Sequence, residues 1–123
     1  MRTVLVVDDV PDAREVVARL LKWGGFQAVT AEDGYEALAA VNTQTPDLVL
    51  LDLTMPRMDG VAVLKALRED PRWRHLPVVL FTAVSDGRLV EEAGRLGVQD
   101  FILKGGVGGA ELLDRITRHL PNE

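Results

Sequence analysis

Cysteine is absent from all 123 residues. That excludes disulfides, zinc–thiolate centres and a thiol nucleophile. No stretch approaches the ~18 consecutive apolar residues of a membrane-spanning helix. The chain opens straight into Val4-Leu5-Val6-Val7 and then acid. The basic region and small-residue cleavage site of a signal peptide are therefore missing. A cytoplasmic protein with no membrane partner is the expectation. There is no basic run or stripe, and the net charge is −5. Binding nucleic acid directly through its phosphates needs the opposite balance, so no such partner is expected. Lysine is scarce, three residues against eleven arginines, which makes each lysine worth placing. Internal repeats and low-complexity tracts are also missing. What remains is an ordinary globular mix, 47% hydrophobic and 27% charged, long enough for one core. Residues 1–123 are read as a single domain, free-standing because strand and helix signals run to both ends.

Five short apolar runs alternate with five amphipathic stretches. Thr3 to Val7 reads as the first strand, and Asp8-Asp9-Val10-Pro11 ends it. Pro11 suits the first turn of a helix, where its missing N–H costs nothing. Ala13, Val16, Val17, Leu20 and Leu21 follow at helical spacing to Trp23, and Gly24-Gly25 closes the helix. Phe26 to Thr30 is a weaker strand. Asp33-Gly34-Tyr35-Glu36 has the form of a capping box and opens a helix with Ala37, Leu38 and Val41 inward. Leu48 to Leu51 is an unbroken apolar run, hence a strand buried on both faces. It delivers Asp52, and Met55-Pro56 then stops regular structure. Helix three is expected over Val61 to Glu69, with Val61, Leu64 and Leu67 inward. Val78 to Thr82 is the fourth strand, and Asp86 to Leu96 the fourth helix, capped by Gly97. Asp100 to Lys104 is the fifth strand. Gly109 to Leu120 is the last helix, burying Leu112, Leu113, Ile116 and Leu120. Short connections and continuous apolar strands predict a doubly wound α/β fold. The flavodoxin-like (βα)5 order 2-1-3-4-5 suits this length.

In such a sheet all carboxyl ends share one edge. Asp8-Asp9, Asp52, Thr82 and Lys104 are then brought together. Singly, each has a plainer role: Asp8-Asp9 as a helix cap, Asp52 as a turn residue, Thr82 as a strand end, Lys104 as a solvated charge. Together they crowd three carboxylates around one ammonium. Two like charges ~4 Å apart repel by about 4 kcal/mol at an effective dielectric of 20. A hard divalent cation such as Mg²⁺ relieves that, since it takes carboxylate, water and phosphate oxygens. A carboxylate can also attack phosphorus to give an acyl phosphate, and phosphoryl transfer needs mainly charge neutralisation.

Four motifs carry a resemblance. They are Val7-Asp8-Asp9, Asp52-Leu53-Thr54-Met55-Pro56-Arg57-Met58-Asp59-Gly60, Phe81-Thr82-Ala83, and Asp100-Phe101-Ile102-Leu103-Lys104. In this order the chain resembles the receiver domains of two-component response regulators over essentially its whole length. The resemblance implies that Asp52 is the phosphoacceptor, charged by a histidine kinase or a histidine phosphotransfer protein. It implies that Asp8, Asp9, Asp52 and the backbone carbonyl of Thr54 hold Mg²⁺, and that Thr82 and Lys104 contact the phosphoryl oxygens. Phe101 sits where the family has an aromatic switch residue; an ordinary core aromatic is the equal alternative. The readout would be the surface of helix four, strand five and helix five, meeting a downstream protein target or, once phosphorylated, a second copy in a homodimer.

Two departures from the family pattern stand out. Gly105 follows Lys104, where proline is usual. A non-proline cis bond costs about 2.5–4 kcal/mol, so a trans bond, a different loop path over Gly105–Gly109 and looser aiming of Lys104 are expected. Helix four carries Gly87 and Gly94, and an interior glycine costs about 1 kcal/mol relative to alanine. Close packing on the sheet is the first expectation for Gly94, a softened switch helix the second. Thr54, Ala83 and Val84 should line the phosphoryl pocket. Val84 has no group to position water, which predicts slow to moderate self-dephosphorylation. His75 and His119 are expected on the solvated surface. Two other classes compete. A Mg²⁺-dependent phosphohydrolase with Asp52 as nucleophile usually has a second acid two positions on, where this chain has Thr54. A flavodoxin-like mononucleotide binder needs a glycine- or hydroxyl-rich loop where Asp8-Asp9-Val10-Pro11 stands.

Overall fold

The structure, a computed structural model, describes residues 1–83 and 86–121. The strands are β1 (Thr3–Val7), β2 (Gln27–Ala31), β3 (Leu48–Leu51), β4 (Val78–Thr82) and β5 (Asp100–Leu103). The helices are α1 (Pro11–Trp23), α2 (Gly34–Thr43), α3 (Gly60–Glu69), α4 (Gly87–Leu96) and α5 (Gly109–His119). All strand pairs are parallel, in the order β2-β1-β3-β4-β5. The expected doubly wound sheet is therefore present, with element ends shifted by a residue or two. No helix of the described residues is long and apolar enough to cross a membrane.

The pleat divides the core into two layers. Leu5, Val7, Val49, Leu51, Val78 and Leu80 face one side, with Ala37, Val41, Leu64, Leu67 and Ala93 from α2, α3 and α4. Val4, Val6, Leu48, Leu50, Val79 and Ile102 face the other, with Val17, Leu21, Leu112 and Ile116 from α1 and α5. A strand covered on both faces is expected to be apolar along its length; β3 is throughout, and β1 is from Val4 to Val7, after a buried Thr3 at its start.

Local chemistry sets the helix starts. Pro11 occupies the first turn of α1. Asp33, Asp59 and Asp86 cap α2, α3 and α4 by accepting the backbone N–H of Glu36, Ala62 and Arg88. The capping box at Asp33 is completed with a shift: Glu36 accepts the N–H of Glu32. Asp8 does not cap α1. The N-cap is Val10, whose side chain caps nothing, and Asp8 Oδ1 instead accepts the Val10 N–H at 2.9 Å, one residue before the helix.

Two expectations about packing fail. Val16 is 60% exposed, because the buried stripe of α1 narrows to Val17 and Leu21. Gly94 does not mediate close packing. A Cβ added there would meet nothing within 4 Å, since the residue lies on the exposed face of α4.

Candidate functional site

Register builds the site. Val7 pairs with Leu51, so Asp8 and Asp52 both stand one residue beyond their paired strand ends. Thr82 pairs with Leu103, which sets Lys104 just past the same edge. Main-chain bonds continue the ladder: Asp8 N–H to Ala31 O at 3.1 Å, Asp52 N–H to Val7 O at 3.1 Å, and Lys104 N–H to Thr82 O at 2.9 Å.

The side chains then converge. Lys104 Nζ donates to Asp8 Oδ2 at 2.5 Å and to Asp52 Oδ2 at 3.1 Å. The Thr82 hydroxyl donates to Asp52 Oδ1 at 2.7 Å, and the Thr54 N–H donates to the same oxygen at 3.2 Å. Asp8 and Asp52 are buried, and Asp9 is the most open of the acids. One oxygen from each of Asp8, Asp9 and Asp52 lies within 4.8 Å of the others. Burial pushes the pKa of the Lys104 ammonium down, but its hydrogen bonds to Asp8 and Asp52 outweigh that and hold it above the ordinary lysine value.

Three carboxylates and one ammonium leave two formal negative charges unbalanced. An all-oxygen donor set with that residual charge fits a hard divalent cation such as Mg²⁺. Asp8, Asp9 and Asp52 are the side chains placed to hold it.

The turn after β3 is held from several sides. The Gly60 N–H bonds Leu53 O at 2.9 Å. Arg57, with φ of 68°, pairs with Asp33 at the start of α2. The Glu36 N–H bond, ahead of Arg57, keeps the Asp33 carboxyl below its usual range. Met58 fills the space over Gly34, so that a Cβ there would lie 2.7 Å from Met58 Cγ. Two elements therefore fix the path of the turn that carries Asp52 and Thr54.

Gly105 also has a geometric reason. Its φ is +83°, and the Gly106 N–H returns to Leu103 O at 3.0 Å. That turn takes glycine at its third position, as type II turns do. The Lys104–Gly105 bond is trans, as expected. The expected loosening of Lys104 is not seen, because its backbone N–H and its ammonium are both engaged.

Not every expected residue joins the cluster. Phe101 is partly buried, pairs with Leu80 and packs against the α2–α3–α4 layer. Ala83 is exposed at the edge, and Thr54, also exposed, joins the cluster only through its backbone N–H to Asp52. Val84, the third expected lining residue, lies outside the described residues. His75 is exposed, but His119 is not a free surface group: its Nε2 lies 3.0 Å from Asp100 Oδ2. Sequence reasoning misses two contributors. The Phe81 ring lies 6.0 Å from Lys104 Nζ, and Arg14 donates to the Asp8 carbonyl at 2.8 Å. Alternation along β4 places Phe81 on the α1–α5 side, which is the only signal for it.

Comparisons with known proteins agree with this geometry. Residues 4–117 match the family described as response regulator receiver domain. Response regulator PleD of Caulobacter vibrioides is 42% identical over 102 residues, covering 82% of this chain and 22% of PleD. Protein RcaC of Microchaete diplosiphon is 34% identical over 117 residues, covering 95% of this chain and 18% of RcaC. The chain thus spans about a fifth of these curated relatives. The crystal structure of the chemotaxis protein CheY4 of Vibrio cholerae superposes with a TM-score of 0.89 at 30% identity, covering 98% of this chain and 99% of that one.

Proposed function

The chain belongs to the response regulator receiver domain family, and from that premise we propose that Asp52 is its phosphoacceptor. One observation carries the reading. Asp52 is the buried carboxylate whose two oxygens receive the Thr82 hydroxyl, the Thr54 N–H and the Lys104 ammonium, with Asp8 and Asp9 alongside. An oxygen of Asp52 attacks the phosphorus of a phosphohistidine on a kinase or phosphotransfer protein. The P–N bond breaks, its electron pair leaves with the imidazole nitrogen, and an O–P bond forms at Asp52. Lys104 and the Thr82 hydroxyl are placed to receive phosphoryl oxygens. Mg²⁺ held by Asp8, Asp9, Asp52 and the Thr54 carbonyl supplies the remaining charge neutralisation.

Residues 1–123 act as one receiver unit in the cytoplasm. Readout passes from Thr82 and Phe101 to the surface of α4, β5 and α5, which meets a downstream protein or a second phosphorylated copy. Self-dephosphorylation is slow to moderate. The phosphohydrolase reading is weaker, because Thr54 offers no general acid and is exposed.

Acetyl phosphate with Mg²⁺, followed by intact mass measurement, tests the proposal. A labile phosphoryl adduct is expected on the wild type and none on Asp52→Asn. Equal labelling of both proteins, or no adduct with the metal present, rejects Asp52.

A further inference from the structure

A second charged site lies at the other end of the sheet, between α3 and α4. A cleft of about 470 Å³ is lined by Arg68, Arg74, His75, Leu96, Gly97, Val98 and Gln99. No acid lines it, in a chain of net charge −5. Arg68 is half-buried and has no carboxylate partner among the described residues. Its guanidinium instead donates to three main-chain carbonyls: Gly97 O at 2.8 and 3.1 Å, Leu76 O at 2.9 Å and Trp73 O at 3.2 Å. Those contacts use four of its five N–H groups and cancel none of its charge. Burial accordingly pushes the Arg68 pKa below its ordinary value.

Arg74 and His75 follow on the same rim. Both are exposed, and neither has a described hydrogen-bond or ion-pair partner. The nearby Asp70 is engaged by Arg72 at 2.8 Å. Gln99 accepts the Val78 N–H through Oε1 at 2.6 Å, which leaves its carboxamide N–H₂ to donate. Two guanidinium groups, an imidazole and an amide donor therefore share one cleft without a counter-ion. The Arg74 guanidinium fork matches the oxygens of phosphate and carboxylate, Arg68 adds its uncancelled charge and one remaining N–H, and the volume lies in the range of small-molecule sites.

We propose that this cleft binds a small multivalent oxyanion, carrying phosphate or carboxylate groups, through Arg68, Arg74, His75 and Gln99. The site is separate from Asp52. Gln99 and Val78 mark the strand starts, whereas Thr82 and Lys104 mark the strand ends. The inference stands whether or not Asp52 is the phosphoacceptor.

Amide chemical shifts of the full 123-residue chain, titrated with pyrophosphate and separately with citrate in the absence of Mg²⁺, test it. Sodium chloride at matched ionic strength is the control. Saturable shifts are expected at Arg74, His75, Gly97, Val98 and Gln99, unchanged in Asp52→Asn. Arg74→Glu should weaken the binding at least tenfold; it leaves the carbonyl ties of Arg68 in place, so the fold is retained. Saturation by pyrophosphate alone, by citrate alone or by both identifies the oxyanion class. Shifts that match the salt control, that centre on Asp8, Asp52 and Lys104, or that persist unweakened in Arg74→Glu overturn the proposal.

Discussion

Gly60 has no room for a side chain. A Cβ there would fall against the Asp52 carbonyl oxygen and 2.7 Å from Leu53 Cα, both main-chain atoms that cannot rotate away. Helix α3 therefore starts against the very peptide that carries the candidate phosphoacceptor. Overpacking of this kind typically costs about 1–3 kcal/mol, and here the strain falls on Asp52. Gly60→Ala should lower the unfolding free energy by that amount, read as a fall in the urea midpoint, and slow phosphoryl uptake from acetyl phosphate. An unchanged midpoint would show that the backbone yields more easily than the geometry implies. Gly94 is the opposite case. With open space around it, alanine adds helix propensity without a clash.

That contrast matters most at the level of the helix. In α4 only Ala93 is fully buried, so little packing offsets the glycine cost. Gly94→Ala should raise global stability by about 0.5–1 kcal/mol and slow amide hydrogen exchange at Ala93 and Arg95. Exchange as fast as in the wild type would mean that α4 is already held by its tertiary contacts. The β5–α5 pair makes a different prediction, about pH. Arg115 donates to Asp100 at 2.5 and 2.9 Å, and His119 lies 3.0 Å away. The Arg115 bonds, ahead of His119 and against burial, hold the Asp100 pKa at about 2, down from an ordinary 3.8. A depressed carboxyl pKa stabilises the fold above the unfolded value and loses that contribution as pH falls through the folded one. The window is therefore from 3.8 down to about 2. At ~1.36 kcal/mol per unit the ceiling is about 2 kcal/mol, and solvent screening brings it nearer about 1 kcal/mol. Asp100→Asn should be less stable than the wild type by about that much at pH 7, with the gap closing between pH 4 and pH 2. Urea titrations at both ends of the range decide it; a gap that stays constant excludes the Asp100–Arg115 pair as its source.

Across the whole molecule, what can be read from sequence is whatever the sheet alone determines. Asp8, Asp9, Asp52, Thr82 and Lys104 are legible because five apolar runs imply parallel strands, and parallel strands share one carboxyl edge. The contacts of Arg14, Arg57, Arg68 and His119 are not, because they depend on helix rotation and loop path rather than on period. Val16 shows the same limit: helical spacing places it inward, while the actual turn of α1 exposes it. The legible part also predicts a linkage between metal and fold. Asp8 and Asp52 are neighbours only while β1 and β3 are paired, so the three-carboxylate site exists in the folded chain and not in the unfolded one. A cation that binds only the folded state adds RT ln(1 + [L]/Kd), about 1.4 kcal/mol at ten times Kd. Mg²⁺ should therefore raise the thermal midpoint above that in sodium chloride of equal ionic strength, and EDTA should reverse the rise. Asp9→Asn should lose most of the gain, because Asp9 is the one acid of the three with no described ion pair to Lys104. Equal midpoints in the two salts would mean that Lys104 and solvent alone reconcile the three carboxylates, and the case for a metal centre would fall with them.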